Sequence, residues 1–520
     1  MAEHRALFKS TAVISGMTLI SRVFGYIRDA AIFIFLGATG STDAFFVAFR
    51  IPNFLRRLFA EGAFSQAFVP VLSEYKEKRS ESELKALINH VSGALGLILL
   101  LLSILGVLLA PILIYIFAPG FIDDRERFDL ATQMLRITFP YILFISLTAF
   151  SASILNTFNR FAVPAFTPTL LNLSLIGAAI WLAPRFDQPV VALAWGVFIA
   201  GIAQLLFQIP FLYKLGMLPR FSLQGATDGV KKIIRLIIPA IFGSSVVQIN
   251  LLINTIIASF LVAGSISWLY ISDRFVELPL AIFGVATGTL ILPRLSKQYI
   301  NQSETGFNLT LDWALRISLL IAIPSMLGLI ILAQPILTSL VQYREFTAND
   351  TSMAALSLMT YALGLPAFIL IKVLAPGFYS RQDTKTPVKI GVIAIFCNII
   401  LNLSFFWIWK HWQLSGPHAA LALATSISAY LNAALLFRKL KSTASISLPN
   451  CRLKFTAQIL IATILMTVVL ILVLPDYAQW LQWNGAERIG ALLGFIFLGT
   501  VLYIGALALL GMRRENFVLQ

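Results

Sequence analysis

Residues 10–36 read STAVISGMTLISRVFGYIRDAAIFIFL, an apolar stretch that contains two arginines and an aspartate. About 20 apolar residues in an α-helix cross the roughly 30 Å hydrocarbon core of a bilayer, so this stretch is long enough to span one. It is too long for the core of a signal peptide and has no small-residue cleavage site after a short apolar core. We therefore predict an uncleaved first transmembrane helix that contains Arg22, Arg28 and Asp29.

Similar apolar stretches recur along all 520 residues of the chain, which is 58% hydrophobic and only 12% charged, with a mean hydropathy of +0.85. Soluble domains carry about 25% charged residues. A helix satisfies its own backbone hydrogen bonds inside a bilayer, so each stretch is predicted to be helical. We predict an all-α polytopic membrane protein with 14 transmembrane helices, at residues 10–36, 44–70, 88–117, 131–156, 166–183, 190–213, 233–262, 266–292, 311–341, 352–376, 387–409, 417–437, 455–474 and 489–511.

The net charge of +15 does not indicate a nucleic-acid-binding protein, because no extramembrane domain is left to display a basic patch. The basic residues lie mostly in short loops, and such residues are enriched on the cytoplasmic side of membrane proteins. If the N-terminus is cytoplasmic, the opposite loops carry only six basic residues, namely Arg125, Arg127, Arg185, Arg344, Lys410 and Arg488. This asymmetry predicts that both termini lie in the cytoplasm.

Two pairs of motifs recur at one spacing. Phe68-Val-Pro-Val-Leu-Ser-Glu-Tyr75 follows the second span and Leu292-Pro-Arg-Leu-Ser-Lys-Gln-Tyr299 follows the eighth, so that Pro70 and Pro293 are 223 positions apart. Pro164 and Pro387, after the fourth and tenth spans, have the same separation. This predicts a duplicated six-helix unit whose two copies share one orientation, as in parallel-repeat transporters. We predict lobes at residues 1–220 and 221–441, followed by a C-terminal helix pair at 442–520.

Charged residues inside the predicted spans need an explanation, because each costs roughly 2.5–3.5 kcal/mol at the centre of a spanning helix. Lipid-facing positions would not tolerate this cost, so most of these side chains are expected to face a watery interior. They are Arg22, Arg28 and Asp29 in span 1, Asp43, Arg50, Arg56, Arg57 and Glu61 in or at the mouth of span 2, Asp273, Arg274 and Glu277 in span 8, and Lys372 in span 10.

Two interpretations of these charges stay open. Arg274 and Glu277 stand at i, i+3 and can form an ion pair within one helix, as other members of the set can. Spans 1, 2 and 8 nevertheless hold six arginines against four acids, and surplus guanidinium groups suit the oxygens of a phosphate or diphosphate. The repeat makes spans 2 and 8 equivalent, so Arg56 and Arg274 are expected to face each other across a central cleft.

Other polar residues give weaker signals. Ser244, Gln248 and Thr255 share one face of span 7, and Asn398 and Asn402 stand at i, i+4 in span 11. Such residues coordinate a cation or, more commonly, form hydrogen bonds between helices. The chain has no Walker A loop, no zinc-spaced His/Cys set and no extramembrane pair of carboxylates. We therefore predict no enzymatic activity, no cofactor and no metal site.

Several long strings resemble the lipid II flippase family (MurJ, also called MviN). They include Ser21-Arg-Val-Phe-Gly-Tyr-Ile-Arg-Asp29, Arg50-Ile-Pro-Asn-Phe-Leu-Arg-Arg57, Ser267-Trp-Leu-Tyr-Ile-Ser-Asp-Arg274 and Lys385-Thr-Pro-Val-Lys389. The resemblance implies the fold of the multidrug/oligosaccharidyl-lipid/polysaccharide exporter superfamily, with two six-helix lobes and two extra C-terminal helices beside a groove for a lipid tail. It also implies a location in the bacterial inner membrane.

The same resemblance implies a substrate and the residues that bind it. The substrate would be lipid II, the undecaprenyl-diphosphate-linked disaccharide-pentapeptide, moved from the inner to the outer leaflet. The family's binding residues match Arg22, Arg28, Arg56, Arg274, Asp43 and Glu277 here. Membrane lipids and other cell-wall synthesis proteins are the further partners to be expected. The alternatives are an exporter of another polyprenyl-linked glycan, a drug or cation antiporter of the same superfamily, and a membrane scaffold that transports nothing.

Overall fold

The computed structural model describes residues 2–57, 64–222, 228–412, 416–443 and 453–512. Glu61, one of the predicted cavity charges, lies outside these ranges. The chain divides into two compact units, Met1–Gly264 and Ser265–Gln520, which we call unit 1 and unit 2. The described residues of both units form helices and no strands, as the hydropathy pattern predicts.

The described residues of unit 1 form ten α-helices. They are α1 (Ala2–Leu36), α2 (Gly40–Arg56), α3 (Ser65–Lys78), α4 (Glu81–Leu108), α5 (Ala110–Phe117), α6 (Arg125–Thr138), α7 (Tyr141–Thr157), α8 (Ala162–Gly177), α9 (Val191–Lys214) and α10 (Asp228–Ser259).

Eleven α-helices are formed by the part of unit 2 that the structure describes. They are α11 (Ser265–Pro279), α12 (Ala286–Ile300), α13 (Glu304–Ile331), α14 (Ala333–Leu340), α15 (Ala348–Leu363), α16 (Leu365–Tyr379), α17 (Lys385–Trp412), α18 (Pro417–Thr443), α19 (Leu453–Val473), α20 (Tyr477–Gln482) and α21 (Gly485–Leu509).

Ten helical stretches in the described ranges are long and apolar enough to cross a membrane, and the pair α15 and α16, bent by 41°, makes an eleventh. These stretches coincide with eleven of the predicted spans. The three other predicted spans fall on α1, on α2 with α3, and on α10. The chain is therefore an integral membrane protein, while the count of 14 spans stays a prediction.

The 223-residue repeat is visible in the helix boundaries. Glu81 and Glu304 begin α4 and α13, and each helix is preceded by a serine cap whose hydroxyl accepts a backbone hydrogen bond. Each helix then breaks at an equivalent leucine, with φ −87° and ψ 8° at Leu109 and φ −90° and ψ 8° at Leu332. Because sequence and backbone repeat together, the duplication has a structural counterpart.

A second equivalent pair follows the fourth predicted span of each copy. Asn159 and Gln382, also 223 positions apart, both have a left-handed backbone, with φ 59° and 61°. The boundary between the compact units falls after Gly264, at the end of α10 rather than before it. The six-helix lobes at 1–220 and 221–441 and the pair at 442–520 stay a prediction.

One core of unit 1 is a cluster of buried side chains that we call the α3–α10 core. It joins α3, α4, α7 and α10 through Phe68, Leu87, Phe150, Ile154 and Ile233. In unit 2 an equivalent cluster joins α12, α13, α16 and α18, and a separate one joins α19 and α21 to α13.

A close helix contact gives a test of this packing. Gly106 in α4 lies directly against the buried ring of Phe139, so a methyl group at this position would collide with the ring. We expect Gly106→Ala to lower the free energy of unfolding by about 1–3 kcal/mol, as overpacked cores do. Thermal unfolding of the purified protein in detergent measures this loss.

Gly494→Ala in α21 is the matched control, because a methyl group there meets no atom within 4 Å. The added methyl at that helical site should leave the stability unchanged or raise it, since glycine is less favourable than alanine in a helix. Equal melting temperatures for the two variants would contradict the packing described at Gly106.

Candidate functional site

Arg28 and Asp29 form a buried ion pair on α1. The Arg28 guanidinium donates to one Asp29 oxygen from Nε at 2.9 Å and from Nη2 at 2.6 Å. Its Nη1 donates to the side-chain oxygen of Asn172 on α8 at 3.0 Å. The amide nitrogen of Asn172 in turn donates to the Ser21 carbonyl at 2.9 Å. These contacts satisfy a charge inside the apolar packing of α1 on α8.

Arg22 stands in a different environment from Arg28. The two residues are six apart on α1, which is helical through Gly25, so their side chains point in directions about 120° apart. Arg28 is 7% exposed, whereas Arg22 is exposed. In the ranges that the structure describes, no ion pair joins Arg22 to another residue. Among the described side chains of α1, Arg22 is therefore the cation that an external anion can reach.

Asp43 lies in the first turn of α2 and is 1% exposed. Its Oδ2 accepts a hydrogen bond of 2.7 Å from the backbone N–H of Gly264. Gly264 has a φ of 94°, a conformation that glycine adopts without steric cost. Asp43 thereby holds the segment that follows α10 against the start of α2.

The arginines of α2 occupy three positions along the helix. The Nη1 of Arg50 donates to the hydroxyl of Thr255 on α10, which makes a second polar link between α2 and α10. The Nε of Arg56 donates to the Asn53 side chain, one turn earlier, at 2.9 Å. Arg50, Arg56 and Arg57 are all half-buried. Three guanidinium groups are thus concentrated on one short helix of unit 1.

The charges of unit 2 are centred on α11. Arg274 donates from Nη1 to Glu277 at 2.8 Å and from Nη2 to the Tyr270 hydroxyl at 3.0 Å. The guanidinium also lies over the Tyr270 ring, 5.1 Å from its centroid. The i, i+3 spacing accounts for the ion pair. Because the Arg274 side chain keeps 29% of its surface exposed and Glu277 48%, the pair stays accessible to a ligand.

Two other predicted charges differ in their setting. Asp273, beside Arg274, is half-buried, and Lys372 on α16 is exposed. A charged pair that the sequence analysis missed joins Asp312 and Arg316 on α13. Its i, i+4 spacing within an apolar helix is the signal that would have found it.

The residues considered for a cation divide between described and undescribed parts. Thr255 accepts from Arg50, and Asn398 and Asn402 are fully buried in α17. The side chains of Ser244 and Gln248 lie outside the described residues. Among the side chains that are described, no three His, Cys, Asp or Glu residues are grouped as a metal site would need.

Comparison with known proteins identifies relatives over nearly the whole chain. The family model "Lipid II flippase MurJ" matches residues 32–484. The probable lipid II flippase MurJ of Vibrio cholerae serotype O1 is 47% identical over 519 residues, covering 98% of each chain. The lipid II flippase MurJ of Burkholderia cenocepacia is 41% identical over 524 residues, covering 98% of this chain and 99% of that protein.

Solved structures agree with this relationship. A lipid II flippase MurJ in an inward closed conformation matches with a TM-score of 0.80 at 30% identity, over 95% of this chain and 98% of that one. An inward-facing multidrug resistance MATE family transporter of the MOP superfamily matches with a TM-score of 0.66 at 15% identity, over 85% and 99% of the two chains. The second likeness shows a shared fold.

The contrast between Arg22 and Arg28 gives a prediction about stability. Arg28→Ala leaves the buried Asp29 carboxylate without its ion pair, and such losses cost about 3–5 kcal/mol. Arg22→Ala, at an exposed site, should leave the melting temperature of the purified protein within error of the unsubstituted one. Melting curves in detergent compare the two, and a similar drop for both variants would refute the assignment of Arg28 as the structural member.

Proposed function

The chain belongs to the lipid II flippase MurJ family, and from this premise we propose how its charged residues move lipid II between the leaflets of the inner membrane. The observation that carries the proposal is a set of arginines placed inside a chain that is otherwise apolar enough to lie in a bilayer. The substrate supplies the matching charge, because its polyprenyl tail and its sugar-peptide head are joined by a diphosphate.

Arg22, Arg56 and Arg274 are proposed as the direct diphosphate ligands. Arg22 is exposed, and Arg56 and Arg274 keep part of their surface accessible. A guanidinium group presents several donors in one plane, which suits the oxygens of a phosphate. Glu277 would hold Arg274 in place for the substrate through their 2.8 Å ion pair. Asp273, Arg50, Arg57, Glu61 and Lys372 complete the proposed set of secondary charges.

Arg28 and Asp43 are proposed to act through the positions of other groups. The donors of Arg28 already serve Asp29 and Asn172, so this residue holds α1 on α8 and sets the direction of Arg22. The Asp43 carboxylate holds the backbone of Gly264. Both therefore belong to the substrate site as positioning residues in this proposal.

Alternating access is the proposed mode of transport. The sugar-peptide head would cross past the arginines through water-filled space, because desolvating several sugars and peptide groups in lipid is prohibitive. The apolar tail would stay in the bilayer beside the C-terminal pair at 442–520. The proposal includes 14 spans, lobes at 1–220 and 221–441, and both termini in the cytoplasm, where the basic loops favour them.

Two other functions make different predictions. A drug or cation antiporter of the same superfamily favours acids and aromatic rings for cations, whereas this chain places more arginines than acids in spans 1, 2 and 8. A scaffold for other cell-wall synthesis proteins would tolerate loss of these charges. Depletion of the protein separates the flippase from the antiporter, since lysis with accumulation of the lipid-linked precursor favours the flippase and drug sensitivity alone favours the antiporter. Substitution of the charges separates the flippase from the scaffold.

The sharpest single test is Arg274→Ala. Removal of one charge-assisted hydrogen-bonding group, worth about 1.5–3 kcal/mol, should reduce flipping of labelled lipid II in reconstituted liposomes at least about tenfold. The variant should still insert and elute as a folded protein, because Arg274 is partly exposed.

Arg185→Ala is the matched control, an exposed arginine outside the set. It should flip lipid II at the unsubstituted rate. Wild-type flipping by Arg274→Ala at equal protein content in the liposomes would overturn the proposed role of this arginine.

A further inference from the structure

The start of α10 packs against α3 and α4 of unit 1. Gly229 packs so closely on α3 and α4 that a Cβ there would lie 2.9 Å from the Tyr75 hydroxyl and 2.7 Å from Leu87. Three residues on, the Lys232 ammonium forms an ion pair of 2.5 Å with Glu74 of α3. Ile233 is 3% exposed and belongs to the α3–α10 core. The first two turns of α10 thus fill a groove formed by α3 and α4, which we call the α10 groove.

The residues that form the α10 groove of unit 1 have counterparts 223 positions later in unit 2. There they line a cavity of about 660 Å3 at the ends of α12, α13 and α16. Gln298, Tyr299, Phe307, Phe378 and Arg381 of the cavity correspond to Tyr75, Lys76, Leu84, Leu155 and Phe158 of unit 1, all of which belong to the α3–α10 core or contact it directly through Lys76.

A cation–aromatic contact supports the equivalence of the unit 1 groove and the unit 2 cavity. In unit 1 the Lys76 ammonium lies 4.5 Å from the centroid of the Phe158 ring. In unit 2 the cation and the ring have exchanged positions, since the Arg381 guanidinium lies 5.9 Å from the Tyr299 ring. The cation–aromatic contact is retained with its partners reversed, so the two copies share the geometry of this corner.

The helix that follows in unit 2 is engaged elsewhere. α19, the next described helix after α18, packs against α13 and α21. Its partners on α13 include Leu320, Ile323 and Ile331, far along the helix from the cavity residue Phe307. Unit 2 therefore repeats the groove, while its own following helix lies on another surface.

At the position of the unit 1 ion pair, unit 2 has a positive charge in place of a negative one. Lys297 stands where unit 1 has Glu74, and it is exposed. Arg381 adds a second cation, stacked 4.3 Å from the Phe307 ring, and partial burial lowers its pKa. In the described ranges no ion pair joins Lys297 or Arg381 to an acid.

Two carboxylates also line the cavity. Glu304 stands at the start of α13, and Asp383 accepts a hydrogen bond from the Thr386 backbone at 3.0 Å.

We propose that this cavity is the docking site for an amphipathic helix of a partner protein, which inserts its first two turns as α10 does in unit 1. Its apolar face would fill the space that Ile233 fills there, and an acidic side chain at the position of Lys232 would pair with Lys297. In the orientation of the proposed function, this partner lies on the cytoplasmic side.

A peptide experiment on the full-length protein in detergent tests this proposal independently of flipping. The probe is a stapled, fluorescent copy of residues 228–237 with Lys232→Glu, and the reference probe retains Lys232. Exposed charge pairs contribute about 0.2–1 kcal/mol, and repulsion in the reference adds to the difference, so the glutamate peptide should bind about three- to tenfold more tightly. Fluorescence anisotropy measures both dissociation constants.

Reversing the charge at position 297 of the protein tests the proposed ion pair directly. Lys297→Glu should reverse the preference, so that the lysine peptide binds more tightly, while Arg185→Glu, an equal charge change at a distant exposed site, should leave it unchanged. Absence of saturable binding, equal affinity for the two peptides, or a preference that survives Lys297→Glu would overturn the proposal. Equal displacement of both peptides by phosphatidylglycerol would show that a lipid occupies the cavity instead, which also overturns it.

Discussion

A guanidinium group inside an apolar helix is the constraint on which this structure depends. A charge in that setting persists only when other groups satisfy it, and the chain does so in two ways. Arg28 is satisfied internally by Asp29 and Asn172, which fixes α1 on α8. Arg22 and Arg274 keep part of their surface accessible, which is where an anion would approach them in the proposed function. The proposal thereby divides stability and substrate binding between different arginines of one set.

The features that recur 223 positions apart also show where equivalent parts of the two units diverge. Equivalent serine caps, leucine breaks and left-handed residues recur 223 positions apart. The corner that α10 fills in unit 1 corresponds to a cavity lined by described residues of unit 2, where a lysine stands in place of a glutamate. Equivalent positions of the two units can therefore be compared directly. Where their residues differ, as at Glu74 and Lys297, the groups that contact them are expected to differ too.

Hydropathy was sufficient to predict the helical class and eleven of the spans, since these depend on local sequence. The partners of individual charges were not predictable, except for Arg274 and Glu277, whose spacing brings them together on one helix turn. The link from Asp43 to Gly264 joins residues 221 positions apart, and that from Arg50 to Thr255 joins residues 205 apart. Such links follow from tertiary packing. The placement of α10 within unit 1, across the predicted lobe boundary, has the same origin.

The central claim is that arginines with accessible surface recognise the diphosphate of the substrate. Equilibrium binding of two synthetic lipids to the purified protein tests it most directly, one with the diphosphate linkage and one identical except for a monophosphate. The account predicts clearly tighter binding of the diphosphate lipid, a preference that weakens with added salt and is lost in Arg22→Ala. Equal affinity for the two lipids would contradict it.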